Sequence, residues 1–172
     1  MNIYVGIPIL MLAAVLQSVG IENMHVLGGR PDLVLLLVVT WAIIRGVDDG
    51  VLWGFLGGIF YDLLSGGPFG LWTLTLTAVG FLAGQPWVNA LGPTVIRLAL
   101  MSVVGTFFGH GILLLSMGLL GYEVNVIRAL QTVAGPAALL NLILSPFTFS
   151  GLVWVHQRTQ PRIGRLNRRL DL

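Results

Sequence analysis

Charged residues are scarce in this sequence, and cysteine and lysine are absent. Only 9% of its 172 residues are Asp, Glu, Lys or Arg, whereas 56% are hydrophobic. A soluble domain carries about 25% charged residues, so this chain lacks the charge to cover a water-exposed surface. Without cysteine there is no disulfide framework, no thiolate nucleophile and no cysteine-ligated metal. The composition therefore excludes a soluble enzyme and predicts an integral membrane protein.

The apolar runs predict about six transmembrane helices. A helix that spans the membrane needs about 20 predominantly apolar residues. The predicted spans are Ile3–Ile21, Leu33–Ile44, Val51–Leu64, Gly70–Gly84, Val95–Leu120 and Ala129–Val155. The second and third are shorter than this length, and a polar turn at Arg45–Gly50 separates them. We therefore predict an all-α polytopic membrane bundle over residues 1–155 and a basic tail over residues 156–172.

The arginines predict the orientation of this bundle. Six spans place both termini on one side, which then holds seven arginines, while the other side holds only Arg30 and Arg128. The seven are Arg45, Arg97, Arg158, Arg162, Arg165, Arg168 and Arg169. Because basic residues are enriched in cytoplasmic segments, both termini are predicted to be cytoplasmic. Four tryptophans near the predicted inner ends are typical of the membrane interface, the alternative being that some are simply packed or lipid-facing; they are Trp41, Trp53, Trp87 and Trp154.

The basic tail supports two interpretations. In the first, Pro161 opens an amphipathic helix that lies on the anionic cytoplasmic leaflet. Its membrane-surface residues would be Arg162, Arg165, Arg168 and Arg169. In the second, the tail is solvated and only fixes the topology. Nucleic-acid binding would need a larger basic surface and is not predicted.

Small residues recur every four positions along the third predicted span. Gly50, Gly54, Gly58 and Asp62 therefore share one helix face. Small residues let another helix approach closely, which leaves two interpretations: packing within this bundle, or a groove for a partner's helix. Gly54 and Gly58 are the strongest candidates for such an approach. Asp62 is expected to accept hydrogen bonds from the turn that follows it, or to pair with an arginine on the same side.

No catalytic arrangement stands out. The three histidines, His25, His110 and His156, are scattered and lack metal-ligand spacing. Ser65 lacks the Gly-x-Ser-Gly turn of an intramembrane serine protease, because Leu63 occupies the first glycine position. We therefore predict a protein that is not an enzyme and that uses no cofactor and no metal.

Polar residues at membrane depth form a second set of candidates. His110 lies near the middle of the fifth span, and Gln17, Gln131 and Asn141 are its candidate polar neighbours across the bundle. Prolines at 136 and 146 are expected to bend the sixth helix. A bent helix carrying Asn141 between two prolines either lines a small pocket or is ordinary irregularity of a membrane helix.

Three motifs together resemble the MreD family of rod-shape-determining proteins. The first is Arg30-Pro31-Asp32-Leu33-Val34-Leu35, which opens the second span. The next is Gly50-x-x-x-Gly54-Phe55-x-x-Gly58-x-x-x-Asp62-Leu63-Leu64. The last is Phe69-Gly70-Leu71, followed by an apolar run to Gly80.

The resemblance implies a non-enzymatic scaffold of the bacterial cell-elongation machinery in the inner membrane. It would bind MreC and help to control peptidoglycan synthesis and cell shape, within a wider complex of MreB, RodA and a class B penicillin-binding protein. The glycine face of the third span, Asp62 and the Arg30–Asp32 region would contribute the MreC contact.

Two alternatives to the scaffold remain. The resemblance also implies a fold similar to the substrate-binding subunits of energy-coupling-factor transporters. The first alternative is therefore a substrate-binding membrane subunit of a vitamin-type transporter. The second is a homodimer assembled through glycine faces.

Overall fold

The structure is a computed structural model that describes residues 3–21, 29–123 and 125–159. Its described residues are mostly helical. The helices are α1 (Ile3–Leu16, continued by a π-helical turn at Gln17–Ile21), α2 (Leu33–Arg45), α3 (Val47–Ser65), α4 (Leu71–Ala83), a 3₁₀ turn (Pro86–Leu91), α5 (Thr94–Leu119), α6 (Val126–Ala129, continued by a π-helical turn at Leu130–Ala134) and α7 (Gly135–Thr159). The predicted membrane-surface arginines of the tail, and His25, lie outside the described residues.

Helix α2 forms the centre of the bundle. Its sequence is apolar on every side, and a helix of that kind is buried rather than amphipathic. It packs against α1, α3, α4, α5 and α7. Val34, Val38 and Trp41 are almost fully buried within it. The other helices therefore surround a single apolar core, and they direct further large apolar side chains outward.

The turn between the second and third spans is shorter than predicted. Helix α3 begins at Val47 and not at Val51, so the connection to α2 is reduced to Gly46 with φ +94°. The reason is that Asp48 and Asp49 lie in the first turn of α3, where negative charge is favourable to the helix dipole. The polar residues that suggested a turn therefore begin a helix.

The glycine face of α3 packs against α4 within the same chain. A Cβ atom added at Gly54 would overlap the carbonyl oxygen of Leu76, and one at Gly58 would overlap Thr73. A Cβ at Gly50 would lie 2.6 Å from the carbonyl oxygen of Gly80. Among the described elements α3 and α4 make the most extensive helix–helix contact. Of the two interpretations of the glycine repeat, this geometry agrees with packing inside the bundle. It leaves no open groove along these glycines.

Two of the four tryptophans near the predicted inner ends are buried in the core. Trp41 and Trp53 are buried and stack with their ring centroids 4.8 Å apart. His156 lies edge-on to Trp41 at 5.3 Å, which ties the end of α7 to the centre of the bundle. Trp87 and Trp154 are half exposed. Trp41 and Trp53 are therefore packed residues, which is the alternative for this pair, and their depth in the membrane stays a prediction.

The lengths of the helices differ widely. Helix α5 and the continuous helical segment from Val126 to Arg158 are each long and apolar enough to cross a membrane. The helices α2 and α4 have 13 residues each, which corresponds to about 20 Å. Helix length and composition therefore indicate crossing for two segments of the part of the chain that the structure describes.

Candidate functional site: a polar cavity at one end of the bundle

A cavity of about 400 Å³ opens at the end of the bundle that carries Arg30. We call it the Asp32 cavity. Its polar wall contains Gln17, Arg30, Asp32 and His110, and its aromatic wall contains Tyr61 and Trp72, whose ring centroids are 4.4 Å apart. The remaining wall is largely apolar and comes from α5, α6, the following π-helical turn and α7: Leu113, Leu114, Ala129, Val133 and Ala137. Side chains from distant parts of the sequence therefore meet around one space.

Asp32 is the anchor of the cavity's polar wall. It is the N-cap of α2, and its Oδ1 accepts a hydrogen bond of 2.9 Å from the backbone N–H of Leu35. The Nε2 group of Gln17 donates a second bond of 3.0 Å to the same oxygen. The Oε1 atom of Gln17 in turn accepts from the backbone N–H of Val34 at 3.1 Å. Gln17 and Asp32 together satisfy the first turn of α2, which otherwise has unpaired N–H groups.

Asn141 extends this network to α5 and α7. Its Oδ1 accepts a bond of 2.8 Å from the backbone N–H of Asp32, and its Nδ2 donates to the hydroxyl of Thr106 at 2.9 Å. Thr106 donates to the carbonyl of Ser102 at 2.6 Å. Asn141 and Thr106 are both fully buried. The network therefore joins α1, α2, α5 and α7 in the bundle interior, where a polar group left unpaired would be costly.

His110 presents one ring nitrogen toward its own helix. Its Nδ1 lies 2.9 Å from the carbonyl oxygen of Thr106. A carbonyl oxygen only accepts, so Nδ1 carries the proton, and in the neutral ring Nε2 then has a free lone pair. His110 lines the cavity. It therefore adds an acceptor to the same wall as the Asp32 carboxylate.

Asp62 is buried and caps α4 from the neighbouring helix α3. Its carboxylate accepts backbone bonds from Gly70 at 3.0 Å, Trp72 at 3.0 Å and Thr73 at 2.9 Å. The hydroxyl of Thr73 donates a fourth bond of 2.6 Å. Gly70, the N-cap of α4, has no side chain for this purpose. Asp62 therefore fixes the end of the Ser65–Gly70 turn, as expected from its position in the sequence.

The structure separates the predicted site residues into two groups. Gly50, Gly54, Gly58 and Asp62 all face α4. Arg30 is exposed and Asp32 is buried, and both line the cavity. Asp32 is only 5% exposed, whereas Arg30 is at the surface. The contact of the Arg30–Asp32 region with MreC stays a prediction.

Of the three predicted polar neighbours of His110, two are buried in the hydrogen-bond network and one is exposed. Gln17 and Asn141 belong to the network, whereas Gln131 is exposed. Thr106 was not singled out in the sequence, although its side chain completes the link to α5. A signal for it was present, because Thr106 precedes His110 by one helical turn and lies on the same face.

Apolar helices packed around a buried polar network are typical of a helical membrane protein. A family model described as rod shape-determining protein MreD matches residues 1–149. The chain therefore belongs to the MreD family, which confirms the resemblance noted in its sequence motifs and implies a role in determining rod shape. No curated protein and no solved structure matches the chain. The apolar helices and the family together indicate a membrane protein.

Proposed function

We propose that this chain is a non-enzymatic scaffold that binds MreC and helps to control peptidoglycan synthesis and cell shape. The observation that carries the proposal is the family match over residues 1–149. In this role the chain holds a partner's membrane helix and works beside MreB, RodA and a class B penicillin-binding protein. It lies in the inner membrane as six crossings with both termini in the cytoplasm. The 13-residue helices α2 and α4 then cross with help from their flanks or from local thinning of the bilayer.

The second half of α5 offers the partner helix a surface. Gly111 and Gly118 are seven residues apart, so they lie on nearly the same face, and a Cβ at either would meet nothing within 4 Å. Leu115 lies between them and is 66% exposed. Small residues beside an exposed leucine let a second helix approach and pack closely in the membrane. This surface replaces the α3 glycine face, which α4 covers.

Co-purification with MreC in mild detergent tests the proposal. The native chain should purify as a stoichiometric complex, and Gly118→Leu should reduce the retained MreC at least fivefold by filling the α5 surface. The matched control is Gly151→Leu on α7, because Gly151 also has nothing within 4 Å. A native chain that purifies without MreC contradicts the scaffold role. Unchanged binding by Gly118→Leu contradicts only the α5 surface.

The alternative function, a carrier subunit for a small molecule, is favoured by the Asp32 cavity. A volume of about 400 Å³ is within the range of small-molecule sites. A carrier should co-purify with a soluble compound that raises its thermal stability by mass action. A chain that binds MreC and gains no stability from a panel of soluble vitamins counts for the scaffold and against the carrier.

A further inference from the structure

We propose that the Asp32 cavity binds the head group of a phospholipid that carries a primary ammonium group, such as phosphatidylethanolamine. The proposal concerns the chain in lipid without any partner. It can therefore stand or fall independently of MreC binding.

The polar wall of the cavity presents hydrogen-bond acceptors, so it favours a ligand that donates hydrogen bonds. The bonds from Gln17 and Leu35 to the Asp32 side chain both end on Oδ1, so Oδ2 is the oxygen that a ligand would meet. The proton on Nδ1 of His110 leaves Nε2 as an acceptor. Two acceptors on one wall suit a group with several N–H donors, and a primary ammonium has three.

The aromatic wall favours a positive charge on that donor. Tyr61 and Trp72 line the same space. The faces of aromatic rings attract cations, most strongly where water is excluded. Asp32 is the most buried acidic group on the cavity wall, and a cation bound beside it would favour its ionised form. An ammonium is therefore a better match than a neutral hydroxyl or amide.

Arg30 makes the site suitable for a zwitterion. It lines the cavity, and it is exposed whereas Asp32 is buried. A guanidinium is well suited to phosphate because it offers several N–H donors in one plane. An ethanolamine phosphate has its positive and negative charges a few bonds apart. Its ammonium can thus reach Asp32 while its phosphate stays near Arg30.

The apolar wall indicates that the ligand is a lipid and not a free amine. Val133 borders the cavity and is 41% exposed, and Leu113 and Leu114 line the cavity beside it. An acyl chain that leaves the cavity on this side stays on apolar side chains. A soluble amine would leave the same surface uncovered and gain nothing from it.

Two lipids that differ only at nitrogen test the proposal. The full chain is purified and exposed to equal amounts of dioleoyl phosphatidylethanolamine and dioleoyl phosphatidylcholine, and retained lipid is counted by native mass spectrometry. Phosphatidylcholine keeps the phosphate, the positive charge and the acyl chains but has no N–H donor. We expect about a tenfold preference for phosphatidylethanolamine, because hydrogen bonds to charged groups are the strong ones. Equal retention overturns the proposal.

Asp32→Asn locates the effect at the cavity. Its amide oxygen keeps the bonds from Gln17 and Leu35, while its NH₂ replaces the acceptor Oδ2 by a donor. The preference should fall to about one. His110→Phe removes the second acceptor without touching the α2 cap and should lower the preference severalfold. An unchanged preference in both variants overturns the site.

Two further arms separate the lipid from other sources of the effect. Glu123→Gln removes an exposed acid outside the cavity and should keep the tenfold preference. If this variant loses the preference for phosphatidylethanolamine, the assignment to Asp32 is overturned. Free ethanolamine should raise the melting temperature far less than phosphatidylethanolamine does. An equal rise overturns the lipid and assigns the cavity to a soluble amine.

Discussion

Two buried carboxylates in this chain do similar work at different helices. Asp32 caps its own helix α2, and Asp62 caps α4 from the neighbouring helix α3. The unpaired N–H groups of a helix N-terminus carry partial positive charge, so each carboxylate is stabilised where it lies. The difference is that the four bonds from α4 and its N-cap use both oxygens of Asp62, whereas the bonds from Gln17 and Leu35 both end on Oδ1 of Asp32. Asp62 is therefore a structural acid, and the proposed lipid site would use the second oxygen of Asp32.

Replacement of Asp62 by Ala should lower the free energy of unfolding by about 3 kcal/mol, since it leaves several backbone N–H groups at the start of α4 without their acceptor. The measurement is thermal or denaturant-induced unfolding of the purified chain in detergent. Asp49→Ala is the matched control, because it removes an acid whose ion pair with Arg45 is exposed. We expect that control to change stability by less than about 1 kcal/mol. Equal effects of the two substitutions would show that the Asp62 cap contributes little.

At the scale of the elements, the α3–α4 pair depends on glycines from both helices. Gly50, Gly54 and Gly58 come from α3, Gly80 comes from α4, and Gly84 is the C-cap of α4. A Cβ at Gly84 would lie 2.6 Å from Cα of Val47, so the two backbones touch near the Gly84 end as well as in the middle. Close backbone contact allows dense packing where the hydrophobic effect does not drive helices together. Loss of one of these glycines should therefore affect the whole bundle.

Gly54→Ala should destabilise the bundle by about 2 kcal/mol, because the added methyl overlaps the backbone of Leu76 and the helices must move apart. Gly118→Ala should have the opposite sign. Its methyl would enter open space, and alanine is favoured over glycine inside a helix by about 0.5–1 kcal/mol. The measurement is the free energy of unfolding of both variants and of the native chain, from unfolding curves recorded in the same detergent. If Gly54→Ala is as stable as the native chain, the tight α3–α4 contact is wrong.

The elements show which features could be predicted from the sequence. Long apolar runs place α2, α4 and α5 within about two residues of their predicted ends, and α1 reaches its predicted end at Ile21 through the π-helical turn, since hydrophobic length alone marks such helices. The predicted start of α3 at Val51 was wrong, because Asp48 and Asp49 suit a helix N-terminus as well as a turn. The network was predicted only in part. Gln17 and Asn141 were candidate polar neighbours of His110, but their bonds to Asp32 were not predicted, because Asn141 and Asp32 are 109 residues apart and only the packed fold brings them together.

At the scale of the whole molecule, the fold sorts the polar segments to two opposite ends. The Asp32 cavity brings Arg30, Trp72 and Ala129 together at one end. A second cavity, of about 240 Å³, brings Arg45 and Asn89 together at the other. These groupings agree with the alternation that six crossings require. The proposed orientation rests on the arginine distribution.

Single cysteines can test the proposed orientation, because the native chain has none and provides a clean background. The exposed positions Gly67 and Glu123 lie at or beyond the Arg30 end, and Asp48 and Ala90 are exposed at the opposite end. In intact cells a membrane-impermeant maleimide should label Gly67→Cys and Glu123→Cys. It should label Asp48→Cys and Ala90→Cys only after the membrane is permeabilised, because arginine-rich segments stay in the cytoplasm. The reverse pattern would invert the orientation, and labelling of only one member of a pair would contradict six crossings.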